Sequence, residues 1–187
     1  MELVQKDIII EGNKCKADVM IFDNNDRKKW RELWDFWLKL KNGLKEYKSR
    51  EPNLPEGISE TAFCIYSGSV RLIKIYGNCN KSADTYNLKT METEQIKATS
   101  VEEDLTSFGP NSRWDKLYFL DFYRNGDMDG SFDVYQIDSE LIYNSIVNKS
   151  KNETFTEQQK QKRRPRLSLK KIIKKYNIEP IATNVII

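Results

Sequence analysis

The clearest periodicity in the chain runs from Asp26 to about Lys48, where Trp30, Leu33, Trp34, Trp37, Leu38, Lys41, Leu44 and Tyr47 recur at helical spacing. That pattern predicts a long amphipathic helix, with Asn25 or Asp26 placed to cap its start. Tryptophans at three- and four-residue intervals line a core or a dimer interface far more often than they stack on bases. Pro52 and Pro55 break the pattern. After them, Glu56 to Tyr66 reads as a short helix with Ile58, Ala62, Phe63 and Ile65 facing inward. Residues 69 to 77 and 93 to 100 look like strands. The apolar stretch 117 to 123 and the segment Phe132 to Ile137 form a hairpin across the turn-rich residues Arg124 to Gly130. Ile8 to Ile10 and Val19 to Phe22 are short apolar runs that fit either helix or strand. Ser112 is expected to cap a helix beginning at Trp114, and Asn148 to Gln161 reads as a surface loop or mobile linker. The order of elements predicts an α/β (α+β) fold, a sheet flanked by helices and ending in a helical, basic C-terminal part.

Composition narrows the chemistry. With 187 residues, 39% of them hydrophobic, the chain is long enough for a single domain, 1 to 187, with a real core. Charged residues make up 32% but the net charge is only +3, so the distribution matters more than the total. Acids concentrate in 102 to 140. Lys160 to Lys175 holds nine lysines and arginines with no acid, which makes the segment from about 160 to 176 the expected phosphate-binding surface. Histidine is absent, which removes imidazole-dependent hydrolysis and most zinc sites. Cys15, Cys64 and Cys79 are odd in number and have no CxxC spacing, so neither a disulfide framework nor a zinc ribbon is suggested. A cytoplasmic protein is expected, with no N-terminal signal, no membrane-spanning run and no membrane partner.

What remains is chemistry by carboxylates, lysines and a hard metal. Asp84 stands eleven positions before Gln95-Ile96-Lys97. In a strand from 93 to 100, side chains alternate, so Gln95 and Lys97 share a face while Ile96 turns to the buried one. Asp84, on a neighbouring strand of a hairpin, adds a carboxylate. With the Ile96 carbonyl and waters it suits a divalent cation such as Mg²⁺, and Lys97 is placed to orient or deprotonate an attacking water. An Asp with an X-Lys pair also arises in any charged chain, where it is only two solvated strands of a hairpin.

This arrangement resembles the PD-(D/E)XK nuclease core, with Gln95 where Asp or Glu is usual. An amide oxygen binds Mg²⁺ more weakly than a carboxylate, so a further acid is needed, and Glu60, Glu92 and Glu94 are within reach. By resemblance, Glu60 on the helix preceding the first active-site strand is the one aimed at the metal. Five segments extend the likeness: Asn53 to Glu60, Asp84-Thr85-Tyr86, Gln95 to Ser100, Asp104 to Pro110, and Arg163-Arg164-Pro165-Arg166. Together, over roughly residues 50 to 175, they are similar to the small type II restriction endonucleases that cleave at GCNGC. The resemblance implies a Mg²⁺-dependent nuclease, a short interrupted palindrome in double-stranded DNA, and a homodimer with one active site per strand. Arg163, Arg164 and Arg166 become candidates for guanine contacts, with phosphate clamping the alternative for each. Lys170 and Lys171 are candidates for phosphate. Thr106, Ser107, Asn111 and Ser112 offer donors near the scissile phosphate. A repair or junction-cleaving nuclease on the same core, and a non-catalytic DNA-binding protein, stay open as alternatives.

Overall fold

Both ambiguous N-terminal runs are strands. β1 (Glu2–Ile10) and β2 (Asn13–Ile21) form an antiparallel hairpin. Its turn residues Glu11 and Gly12 both take positive φ, 51° and 78°, as a two-residue hairpin turn requires. The computed structural model describes every residue except Asn78, Asn80 and Lys81. The predicted long helix is α1 (Asp26–Glu46). Asn25 sits at its N-cap but makes no side-chain capping bond; the Asp26 carboxylate instead accepts the Asp23 N–H at 3.0 Å. The short helix is α2 (Glu56–Ser67), closed by Gly68 at φ 77°, where a left-handed residue ends the helix.

The strands β3 (Val70–Tyr76), β4 (Thr85–Asn87), β5 (Glu92–Thr99), β6 (Thr106–Ser107), β7 (Lys116–Asp121) and β8 (Phe132–Ile137) follow. The C-terminal third adds α3 (Ser139–Tyr143), β9 (Ile146–Asn148), β10 (Glu153–Thr154), α4 (Phe155–Lys160), β11 (Arg166–Leu167), α5 (Leu169–Tyr176) and β12 (Ala182–Val185). Eight strands join one sheet in the order β1-β2-β3-β4-β5-β7-β8-β12. β5 and β7 pair in parallel, while the other recorded pairs of that sheet are antiparallel. The mixed α+β architecture expected from the sequence is therefore the one observed.

Two apolar layers cover the sheet. On one face, α1 and α2 bury Trp30, Trp34, Trp37, Ile58 and Phe63 against Ile96, Leu120 and Val134. On the other, Phe108, Trp114, Phe155, Leu169 and Ile172 pack on Leu117, Phe119 and Ile137. β7 is thus apolar on both faces, which explains its unbroken hydrophobic run. The tryptophans of α1 are core residues: Trp34 is fully buried and its ring lies 5.0 Å from that of Phe122.

Three expectations need correction. Residues 148 to 161 are not a loop or linker throughout, because they carry the end of β9, β10 and α4, which opens on a Thr154/Glu157 capping box and buries Phe155, Gln158 and Gln159. No helix starts at Trp114. Trp114 lies outside any helix or strand and stacks on Phe108 and Tyr143, at ring distances of 5.3 and 5.2 Å, and Ser112 caps no helix there; its carbonyl accepts from Gln159 Nε2 at 3.0 Å. Finally, Cys15 and Cys79 form a disulfide with Cα atoms 6.5 Å apart, leaving Cys64 free and buried. A bridge across 64 residues leaves no local spacing to read.

Candidate active site

The tryptophans that build the core also fix the site. Trp30 Nε1 donates to the Ile58 carbonyl at 2.8 Å and Trp37 Nε1 to the Asn53 carbonyl at 3.1 Å. Both bonds grip the entry to α2, so its first turn is held against β5. There Ile96 enters the core beneath α1 and α2, and Gln95 and Lys97 face the other way, toward the layer of Phe108. The Lys97 ammonium lies 5.5 Å from the Phe108 ring centroid.

Asp84 reaches this strand from just before β4. Its backbone bonds to both neighbours, the N–H donating to Glu94 O and the carbonyl accepting from Leu72 N, each at 3.0 Å. Its Oδ2 then accepts from the Ile96 N–H at 2.8 Å and from the amide nitrogen of Gln95. Burial pushes the Asp84 carboxyl above the usual aspartate range, against the opposing pull of the Lys97 charge and the Ile96 N–H; the charge of Glu56 pushes it further up.

The two acids of α2 lie in different surroundings. Glu60 is buried and receives Arg71 Nε at 2.5 Å. Burial, and then the charge of Asp84, raise its carboxyl to about 7 in spite of that arginine. Glu60 does not line the open cleft; Glu56, one helical turn earlier, does, beside Ser59, Ile96 and Lys97. Glu56 was not singled out by sequence, although its position directly after Pro55 placed it at the first helical residue. Glu94 points to the opposite face from Lys97 and accepts from Thr85 Oγ1 at 2.7 Å. Glu92 pairs with Lys116 at 3.5 Å.

A pH dependence follows from Glu60. Its folded carboxyl titrates above its unfolded value, so the native state holds the extra proton between about 4.5 and about 7. The stability it contributes is complete below that window and lost as pH rises through it. In EDTA, Glu60→Gln should raise the melting temperature at pH 8 relative to wild type, by an effect on the order of 2 kcal/mol, and change little at pH 4.5. Equal effects at both pH values would show that Glu60 is an ordinary ionised partner of Arg71.

The basic segment is helical only in part: α5 carries Lys170, Lys171, Lys174 and Lys175, and the arginines before it lie outside any helix. From Arg163 to Ser168 the chain is non-helical, and β11 pairs antiparallel with β6, Arg166 opposite Ser107 and Leu167 opposite Thr106. Asp104 ties this strand and α5 to the end of β5: it accepts from Ser168 Oγ at 2.6 Å, Leu169 N at 2.8 Å, Lys170 N at 3.1 Å and Thr106 Oγ1 at 3.1 Å. The three arginines then part company. Arg163 is ion-paired with Glu153 at 2.9 Å. Arg164 lines the cleft with Ser107, its Nε 3.5 Å from the hydroxyl. Arg166 is exposed, its neighbour Leu167 turned inward. Lys170 is held by Asp121 at 3.0 Å, Lys171 is exposed, and Asn111 accepts from Lys162 at 3.2 Å, away from the cleft lining.

Asp84, Gln95, Ile96 and Lys97 are therefore brought together, and Ser107 and Arg164 join Ile96 and Lys97 in one cleft. No helix among the described residues is long and apolar enough to cross a membrane. The family model for the Bsp6I restriction endonuclease matches residues 22–176. A type II restriction enzyme, Bsp6I of Bacillus sp. (strain RFL6), is 37% identical over 150 residues, which cover 78% of this chain and 80% of that protein. No solved structure is a significant match. The family match runs from just before α1 to the end of α5, the cleft and the basic segment included, so the chain belongs to the Bsp6I restriction endonuclease family and is a type II site-specific deoxyribonuclease.

Proposed function

We propose that this endonuclease cuts double-stranded DNA at a short interrupted palindrome, GCNGC, with Mg²⁺, and that two copies of the chain act on the two strands. The chain is read as one nuclease domain with a basic DNA-binding segment at about 160 to 176. The observation that carries the catalytic part is the meeting of Lys97, Glu56, Ser107 and Arg164 in one cleft, with Asp84 bonded to the backbone N–H of Ile96 on the same strand.

The donor set fits a hard divalent cation. Asp84 is a desolvated carboxylate whose charge a cation stabilises, and the Ile96 carbonyl and the Glu56 carboxylate supply further oxygens at the cleft. Among the described residues no three His, Cys, Asp or Glu side chains converge on one point. Mg²⁺ keeps several waters and takes few protein carboxylates, so Asp84 with one further acid is a sufficient set. Gln95 contributes by turning its amide: the nitrogen now donates to Asp84, and a half-turn about its last torsion presents the oxygen instead. When bound, the ion lowers the pKa of a water and draws charge from the phosphate. Lys97 orients the attacking water and offsets charge building on the phosphate oxygens. Arg164 and Ser107 hold the phosphate at the cleft mouth.

The deciding experiment is a plasmid digest in Mg²⁺ with the termini sequenced. Discrete fragments ending within GCNGC are expected. Fragments ending at another sequence would overturn the site, and cutting confined to branched DNA would favour a junction-cleaving nuclease.

A further inference from the structure

The core face of α1 is accounted for by its tryptophans, but the helix has a second apolar stripe. Leu33, Phe36, Leu40 and Tyr47 are 49, 71, 55 and 85% exposed. Their steps of three, four and seven residues make a continuous seam at coiled-coil spacing, completed by Gly43 between Leu40 and Tyr47. Exposed phenylalanine and leucine in such a row mark an interaction surface.

We infer that this stripe is the seam on which a second copy of the chain packs, α1 against α1, antiparallel about a two-fold axis beside residues 41 and 42. The inference rests on the homodimer reading above and gives that dimer its interface. Two features favour a second copy in this orientation. The first is shape. A Cβ built at Gly43 meets nothing within 4 Å, and along the flank of the stripe the helix surface is hollowed between Asp35, Leu38, Lys39, Asn42 and Glu46, with Gly43 at its edge. An antiparallel partner sets its Leu40 over Gly43, at the edge of that hollow, and its Tyr47 against Phe36. A parallel partner would stack Gly43 on Gly43 and leave a void, which costs packing.

The second feature is charge. Lys39 and Glu46 flank the stripe on the same side, both exposed. In the antiparallel register each Lys39 lies within reach of the partner's Glu46, so the pair occurs twice, and each helix is its own complement. The position of the axis also serves the reaction. Lys41 lines the catalytic cleft from the inner side of α1, bonding the Ser100 carbonyl at 3.0 Å and Glu51 at 3.3 Å. An axis beside residue 41 places the two clefts on either side of it, as close cuts on opposite strands require.

From Phe36 to Tyr47 the seam is only about 17 Å long, so a weak dimer, measurable by sedimentation equilibrium at micromolar concentrations, is expected. Phe36→Asp should make the protein monomeric with an unchanged melting curve, since the side chain is exposed. Lys39→Glu and Glu46→Lys should each weaken the dimer about tenfold, because each turns two attractions into repulsions, and the double variant should recover wild-type affinity within about threefold. A wild-type dimer that Phe36→Asp leaves intact would overturn this seam while sparing the two-copy reading. A protein monomeric at every concentration, on cognate DNA as well, would overturn both. Failure of the double variant to recover would overturn the antiparallel register.

Discussion

Asp84→Ala and Lys97→Ala are expected to lower single-turnover cleavage by about 10³-fold or more, each while binding cognate DNA in Ca²⁺ close to wild type. The magnitude follows from what is lost: a positioned acid–base or charge-stabilising group is worth roughly 10² to 10⁴ in rate, or about 3 to 5 kcal/mol of barrier. Neither side chain is placed to read a base. Asp84 is half-buried and directed at the backbone of β5, and Lys97 stands over Phe108 within the cleft. Misfolding does not mimic the result, because Asp84→Asn keeps an acceptor for the Ile96 N–H and removes a charge that burial disfavours. That variant should fold at least as well as wild type in EDTA and still fail to cut. Cleavage within tenfold of wild type by the Asp84 or Lys97 variants would remove them from the site, and Glu56 with Glu60 would then be the acids to test.

The parts of this molecule that the sequence disclosed are those whose signal is local and periodic. α1 was legible because eight core-directed or amphipathic positions repeat over about six turns. Asp84, Gln95, Ile96 and Lys97 were legible because strand alternation alone decides which of them share a face, and the hairpin of β4 and β5 brings Asp84 to the same strand. Where the outcome depended on packing between distant segments, the sequence alone did not decide it. α4 has one large apolar anchor, Phe155, whose burial against Phe108 and Trp114 needs residues about 40 positions away to be in place. Glu56 and Glu60 are four residues apart on the same side of α2, and what separates them is how the Trp30 and Trp37 indoles hold the start of that helix and where Arg71 on β3 falls. Of the basic C-terminal part expected to be helical, α5 is helix, while Pro165 and the pairing of β11 with β6 keep Arg163 to Leu167 out of it.

Because Arg163 to Leu167 lies outside any helix, its arginines have different surroundings, and this gives the second large expected effect. Arg164 lines the cleft that holds Lys97, where the scissile phosphate is proposed to sit; Arg166 projects from β11 opposite Ser107, exposed and without an ion pair among the described residues, and is the arginine proposed to read guanine. A guanidinium fork matches guanine O6 and N7 with two parallel bonds, a match no other base offers. Arg166→Ala should therefore cost about 1 to 3 kcal/mol on GCNGC duplexes and less on duplexes with the contacted base pair replaced. Arg164→Ala should weaken cognate and substituted duplexes alike, reduce the slope of affinity against salt by about one phosphate contact, and slow cleavage even at saturating DNA. Lys171→Ala, on the exposed side of α5, should share the uniform loss and the shallower salt slope but cut at the wild-type rate once bound. The measurement is a grid of binding constants for the three variants against cognate and singly substituted duplexes at several salt concentrations, with single-turnover rates alongside. If Arg166→Ala loses affinity evenly across the grid, β11 is only a phosphate clamp, and base reading passes to the segment from Asp104 to Asn111 that Asp104 itself fastens to α5.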